Sequence, residues 1–178
     1  MTKIRLVHTI HTDASGFWKM FFDPALNQAL YRKALKFPQL DVLAFEETDT
    51  RITRRMAVTP NLSAVPGPVA KLLGSNFGYV EDGVMTKGEG VFRFTTTPNV
   101  LADKITMTGN IYLERGAGPL GQGGDAAVQR VVEVSVEARI FAVGGMFESA
   151  TEKTLRDSWG TSTTYMNEYI EGKHRDLV

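Results

Sequence analysis

The side chains able to do chemistry are few and scattered along this chain of 178 residues. Five of them, His8, Arg54, Tyr79, Glu81 and Tyr165, fall in the inward phase of the periodic segments that carry them. An acid and a base need tuned protonation and one shared pocket, and residues on separate elements do not reveal convergence. No catalytic residue is assigned. Arg54 shares strand phase with Ile52, Met56 and Val58, so an unbroken register turns it inward, where it would bind an anionic head group. A slipped register, or a side chain that snorkels to the rim, is the cheaper arrangement for an isolated charge.

His8 shares the phase of Ile4, Leu6 and Ile10, a place usually taken by a hydrogen-bonded core histidine. His11 falls on the other side of the strand and His174 in the polar tail, so no two histidines chelate one ion from regular geometry. With no cysteine in the chain, thiolate zinc sites, thiol nucleophiles and disulfides are excluded. No metal and no cofactor are expected. There is no Gly-x-Ser-x-Gly elbow, and Glu46 and Glu47 point to opposite faces beside a turn, which makes them solvated surface. Gly116-Ala117-Gly118-Pro119-Leu120-Gly121 has the spacing of a dinucleotide-binding fingerprint. That motif needs a helix directly after its glycines, whereas here a strand follows, so Arg115–Val128 reads as a hairpin loop.

The strongest pointer to a site is a helix from Gly145 to about Gly172. Its predicted inward stripe runs Phe147, Ala150, Thr151, Thr154, Ser158, Thr161, Ser162, Tyr165 and Tyr169, with Glu148, Glu152, Lys153, Arg156, Asp157, Asn167 and Glu168 opposite. A packed core would want Leu and Ile where this stripe has small residues and hydroxyls. Such a face either approaches the sheet closely, its hydroxyls bonded back to helix carbonyls, or leaves a cavity for a largely apolar ligand. On the cavity reading the ligand-binding residues are Arg54, Met56, Phe94 and Met107 with Val134 from the sheet, and Thr151, Thr154, Leu155, Ser158 and Ser162 from the helix.

The elements that must hold these residues are legible in order. Ile4–Ile10 alternates as a strand. Asp13 caps a short helix carrying Phe17, Trp18, Phe21 and Phe22, and Asp23-Pro24 starts a second that runs to about Lys36 before Pro38. Strands over Leu40–Glu47 and Arg51–Thr59 form one hairpin, Phe77–Met85 and Glu89–Thr97 another, and Asp103–Glu114 and Gln129–Phe141 a third. In the third, Ile105, Met107, Gly109, Ile111 and Leu113 share a dry face with Val132, Val134, Val136, Ala138 and Ile140. Pro60–Gly74 is a long connection across the rim of the sheet.

Length and composition suit one domain over 1–172 with a polar tail at 173–178. Twenty basic and twenty acidic residues cancel, which removes the field that would draw the chain to nucleic acid or anionic membranes. Neither a signal peptide nor the roughly 20 apolar residues of a membrane span is present, so cytoplasm is the expected location, and the glycosylation triplet Asn61-Leu62-Ser63 carries no weight. Oligomeric state is not legible.

Strand, two helices, six strands and a long helix in that order resemble the START-like superfamily, also called SRPBCC or polyketide cyclase-like. The stretch Val134 through Glu148, with its Gly144-Gly145 pair, is similar to the last strand and turn of an uncharacterised bacterial START-like family. Val65 through Gly74 is similar to the proline-and-leucine connection of that family. Phe141-Ala142 stands where the family usually has a proline. The resemblance implies an α+β helix-grip fold, a curved seven-stranded antiparallel sheet wrapped around a long C-terminal helix. It also implies a non-catalytic binder or carrier of a hydrophobic or lipid-like molecule, with a cyclase/aromatase-like enzyme as the alternative.

Overall fold

In the computed structural model, which describes residues 1–63, 65–115 and 127–174, all seven strands pair antiparallel in one sheet. The strands are β1 (Thr2–Ile10), β2 (Gln39–Glu47), β3 (Arg51–Thr59), β4 (Tyr79–Thr86), β5 (Val91–Pro98), β6 (Ile105–Arg115) and β7 (Val128–Ala138). Their order is β1-β7-β6-β5-β4-β3-β2, so each hairpin pairs with its sequence neighbours and only β1 crosses to the far edge beside β7. Of the hairpin loop expected at Arg115–Val128, residues 116–126 with the glycine run lie outside the described residues, as does the end of the polar tail, 175–178.

Two helices follow β1, α1 (Ala14–Phe22) and α2 (Pro24–Ala29). Each starts on the expected aspartate: Gly16 N–H donates to Asp13 at 2.6 Å and Leu26 N–H to Asp23 at 2.7 Å. The second helix does not run on to Lys36 as an α-helix. From Leu30 to Ala34 it widens to a π turn, closed by Leu35 N–H on the Leu30 carbonyl, and Lys36 then takes a positive φ of 57°. The chain turns there because Pro38 bars continuation, and Phe37 packs edge-on against Tyr31. Within Pro60–Gly74 a short helix, α3 (Gly67–Leu73), buries Val69 and Leu73 in the core.

The long helix α4 (Gly144–Ile170) lies on β1 and β7 and covers the concave face. Glu148, expected on its wet side, is buried: its carboxylate accepts from Ala138 N–H at 3.0 Å and Thr2 Oγ1 at 2.8 Å, and pairs with the N-terminal amine at 3.2 Å. One side chain thus ties the ends of β1 and β7 to the first turn of α4. Those donors hold the Glu148 carboxyl below the ordinary carboxylate range, the Ala138 N–H first and Thr2 second. Thr161, expected inward, is exposed.

The strand-to-helix turn also differs from expectation. The strand ends at Ala138 rather than Phe141, whose ring is 98% exposed. The left-handed residue of the turn is Ala142, at φ 65°, and neither glycine of the pair has positive φ. Gly144 is needed for a different reason: a Cβ there would lie 2.3 Å from the Ala138 carbonyl oxygen, whereas one on Gly145 would meet nothing.

The core joins the dry faces of β1, β6 and β7 to aromatic residues of α1 and β5. Phe17, Phe92, Ile10, Val132 and Val136 are among its fully buried members. Two glycines in the sheet are roofed by rings, Gly83 by Phe92 and Gly109 by Phe94; a Cβ at either position would collide with that ring.

Candidate functional site

Between the sheet and α4 lies a cavity of about 190 Å³, lined mostly by apolar side chains. The helix contributes Ala150, Thr151, Thr154, Ser158 and Ser162 of the small stripe, with Leu155 beside them. The hydroxyls that bond back to helix carbonyls are on Thr163 and Thr164, off that stripe, to Trp159 at 2.8 Å and Gly160 at 3.4 Å. The undersized face leaves space instead of drawing the helix onto the sheet. Tyr31 and the α1 residues Met20 and Phe21 wall one side, and Leu62, Val65, Val69 and Leu73 of the rim connection wall another.

Of the ten residues expected to bind ligand, Arg54, Phe94, Met107, Thr151, Thr154, Leu155, Ser158 and Ser162 meet at this cavity. Met56 does not: it packs with Phe37, Leu40 and Val58 in a separate cluster under the far end of β3. Val134 is buried in the main core opposite Ile4, and Phe94, folded over the intervening Gly109, supplies the cavity wall at that level. Shared strand phase puts side chains on one face without deciding which of them a neighbouring ring will cover.

Arg54 is neither slipped nor at the rim. The sheet does carry a bulge at this height, between Val42 and Ala44, but it lies in β2, and β3 keeps Ile52, Arg54, Met56 and Val58 inward and buried. Burial is tolerable because the charge is compensated. Arg54 Nη2 is 3.1 Å from Glu81 Oε1, Nη1 donates to the Phe21 carbonyl at 3.0 Å, and the guanidinium stands 4.6 Å from the Phe21 ring centre. Tyr31 and Tyr79 adjoin this pair. Burial pushes both phenols above their ordinary range, and the charge of Glu81 adds to the shift in each, so both hold their protons at neutral pH.

At the other end stands a residue the sequence reading missed. Arg130 lies in the same phase as Val132, Val134 and Val136, the available signal, and it is completely buried. Its Nη2 donates to the Trp159 carbonyl at 2.9 Å and Thr163 Oγ1 at 2.8 Å, its Nη1 to Ser162 Oγ at 3.3 Å, and its guanidinium stacks 4.7 Å from the Trp159 ring. His8, expected to be a hydrogen-bonded core residue, is half-buried with Nδ1 3.4 Å from Arg130 Nη2. Tyr165 leaves the cavity for the Leu26–Leu30 cluster and stacks 4.2 Å from His174, which also meets Glu168 at 3.0 Å. The first residues of the expected tail therefore dock on α4.

The curved sheet and the helix that encloses it, with the cavity between them, make a START-like helix-grip fold. The chain belongs to DUF2505, a protein family of unknown function, whose model matches residues 5–170. Among solved structures, a protein of Thermus thermophilus superimposes with TM-score 0.61 at 14% identity, covering 97% of this chain and 99% of that one. The Zhui aromatase/cyclase from a Streptomyces species gives 0.61 at 11% identity, over 95% of each chain. A START superfamily protein from Mycobacterium smegmatis gives 0.55 at 11% identity, over 96% and 97%. These likenesses are of fold. No curated protein matches the sequence. Among the described residues no helix is long and apolar enough to cross a membrane.

Proposed function

We propose that this protein binds and carries a hydrophobic or lipid-like small molecule, without transforming it, in the cavity between sheet and α4. The observation that supports this reading most is the apolar cavity beside the small face of α4. A cavity of about 150 Å³ lined by apolar side chains already accepts benzene, so about 190 Å³ suits one slim apolar group. The ligand residues are Arg54, Phe94, Met107, Thr151, Thr154, Leu155, Ser158 and Ser162, and the setting is bacterial cytoplasm, with no nucleic acid as partner and no integral membrane segment. Native mass spectrometry of protein purified without detergent tests it. A co-purifying small molecule, or saturable uptake of an added one, is expected; a cavity that takes up no apolar compound overturns it.

The second reading is a cyclase/aromatase-like enzyme acting on a polyketide-like substrate, like the activity named for the Streptomyces structure. The observation in its favour is the polar cluster of Arg54, Glu81, Tyr31 and Tyr79 on the cavity wall. Carriage stands ahead because Glu81 is engaged by Arg54 and both phenols keep their protons, which leaves the cluster short of a base. Turnover of an aromatic polyketide mimic, abolished by Glu81→Gln, would reverse that order.

A further inference from the structure

Two guanidinium groups stand in the cavity wall, and they differ in what surrounds them. Arg54 faces the Glu81 carboxylate. Arg130 is more deeply buried, yet among the described residues its hydrogen-bond partners are all uncharged: a carbonyl, two hydroxyls, the Met166 sulfur and the His8 ring. Its Nε, like that of Arg54, is buried with no partner among the described residues, so the difference between the two lies in the counter-charge. A cation removed from water without an anion is costly, and neutral donors and acceptors offset only part of that cost. Around it Ser158, Trp159, Ser162 and Met166 join it in lining the cavity, so the charge borders the apolar space.

We propose that Arg130 is the anchor for an acidic group on the ligand, so that the site selects apolar molecules ending in a carboxylate over their neutral analogues. This rests on the carriage reading above and narrows it to a ligand class. A carboxylate supplies the missing counter-charge and accepts hydrogen bonds from a planar guanidinium, the pairing for which arginine is best shaped. Arg54 does not compete, since Glu81 neutralises it. Desolvation lowers the Arg130 pKa to about 9, which leaves the group charged at neutral pH. His8, the titratable neighbour facing it from β1, is held neutral by its own burial and by Arg130.

The test is calorimetric titration of octanoate and 1-octanol, two probes of one chain length, into the wild-type protein and Arg130→Met at pH 7. Octanoate is expected to bind wild type at least about tenfold more tightly than octanol, and that preference to vanish in Arg130→Met while octanol still binds. Equal affinities in wild type, or a preference that survives the substitution, overturn the anchor but leave the cavity reading intact. Failure of both probes takes down the cavity reading and the anchor with it. Should Arg130→Met not fold, carboxyl-labelled octanoate in wild type decides by NMR: beside Arg130 its carboxyl titrates about one pH unit or more below the free acid. A bound carboxyl that titrates at or above the free value overturns the anchor.

Discussion

Arg54 Nη2 lies 3.1 Å from Glu81 Oε1, although the residue directly opposite Arg54 on β4 is Gly83 and the partner of Glu81 is Met56. The pair is diagonal because the place a side chain at 83 would take is filled by the Phe92 ring, which stands 5.2 Å from the guanidinium. Pairing and ring together make an inward arginine tolerable. Glu81→Ala, which leaves a buried charge uncompensated, is expected to lower the unfolding free energy by about 3–5 kcal/mol in urea denaturation. Arg54→Met combined with Glu81→Leu should recover most of that loss. A Glu81→Ala protein as stable as wild type would show that the pair does not carry the charge.

His8 links stability to pH. Burial first, and the positive charge of Arg130 second, hold its imidazole below the ordinary 6.5. The unfolded chain therefore binds the proton more readily than the folded one, and stability rises with pH across the window between the two values. The contribution is complete above about 6.5 and is lost as pH falls through that window. His8→Gln should flatten the pH dependence of the melting temperature just below about pH 6.5. An unchanged slope would mean that His8 does not titrate as its surroundings require.

The two glycines at the head of α4 should respond in opposite directions. Gly144→Ala places a methyl group against the Ala138 carbonyl oxygen, and the turn must open at a cost of about 1–3 kcal/mol. Gly145→Ala meets only open space, and removing a glycine from a helix turn is expected to stabilise by about 0.5 kcal/mol. Thermal melts of the two variants give the comparison, and equal effects would refute the close approach at residue 144.

The architecture was legible because it rests on periodicity. Alternation in the third hairpin, Asp13 and Asp23 as caps, and the change to helical period after Gly145 specified which faces are dry, and dry faces determine layers. What escaped was decided by neighbours distant in sequence. Glu148 looks like a solvated helix residue until Ala138 N–H and Thr2 are brought to it, and Met56 and Val134 share the inward phase of cavity residues yet lie beneath other side chains. Arg130 stood in plain phase with the valines of β7. Its burial is set by Trp159, Ser162 and Thr163, about thirty residues away along the chain, and strand phase alone does not reveal them.

Ser158 separates a cavity from a packed interior. It lines the space from the middle of α4 and touches neither the Arg54–Glu81 pair nor the guanidinium of Arg130 through any hydrogen bond described above. Ser158→Leu puts a larger apolar side chain into that space. If the space is a ligand site, the leucine fills it: binding of an apolar fluorescent probe falls while the melting temperature stays near that of wild type. If the helix and sheet are already close-packed in solution, the added atoms must strain the core, at about 1–3 kcal/mol, and the melting temperature drops. Probe titration and a thermal melt on the same variant distinguish the two, and a destabilised protein that binds probe as well as wild type would sink the ligand-cavity reading.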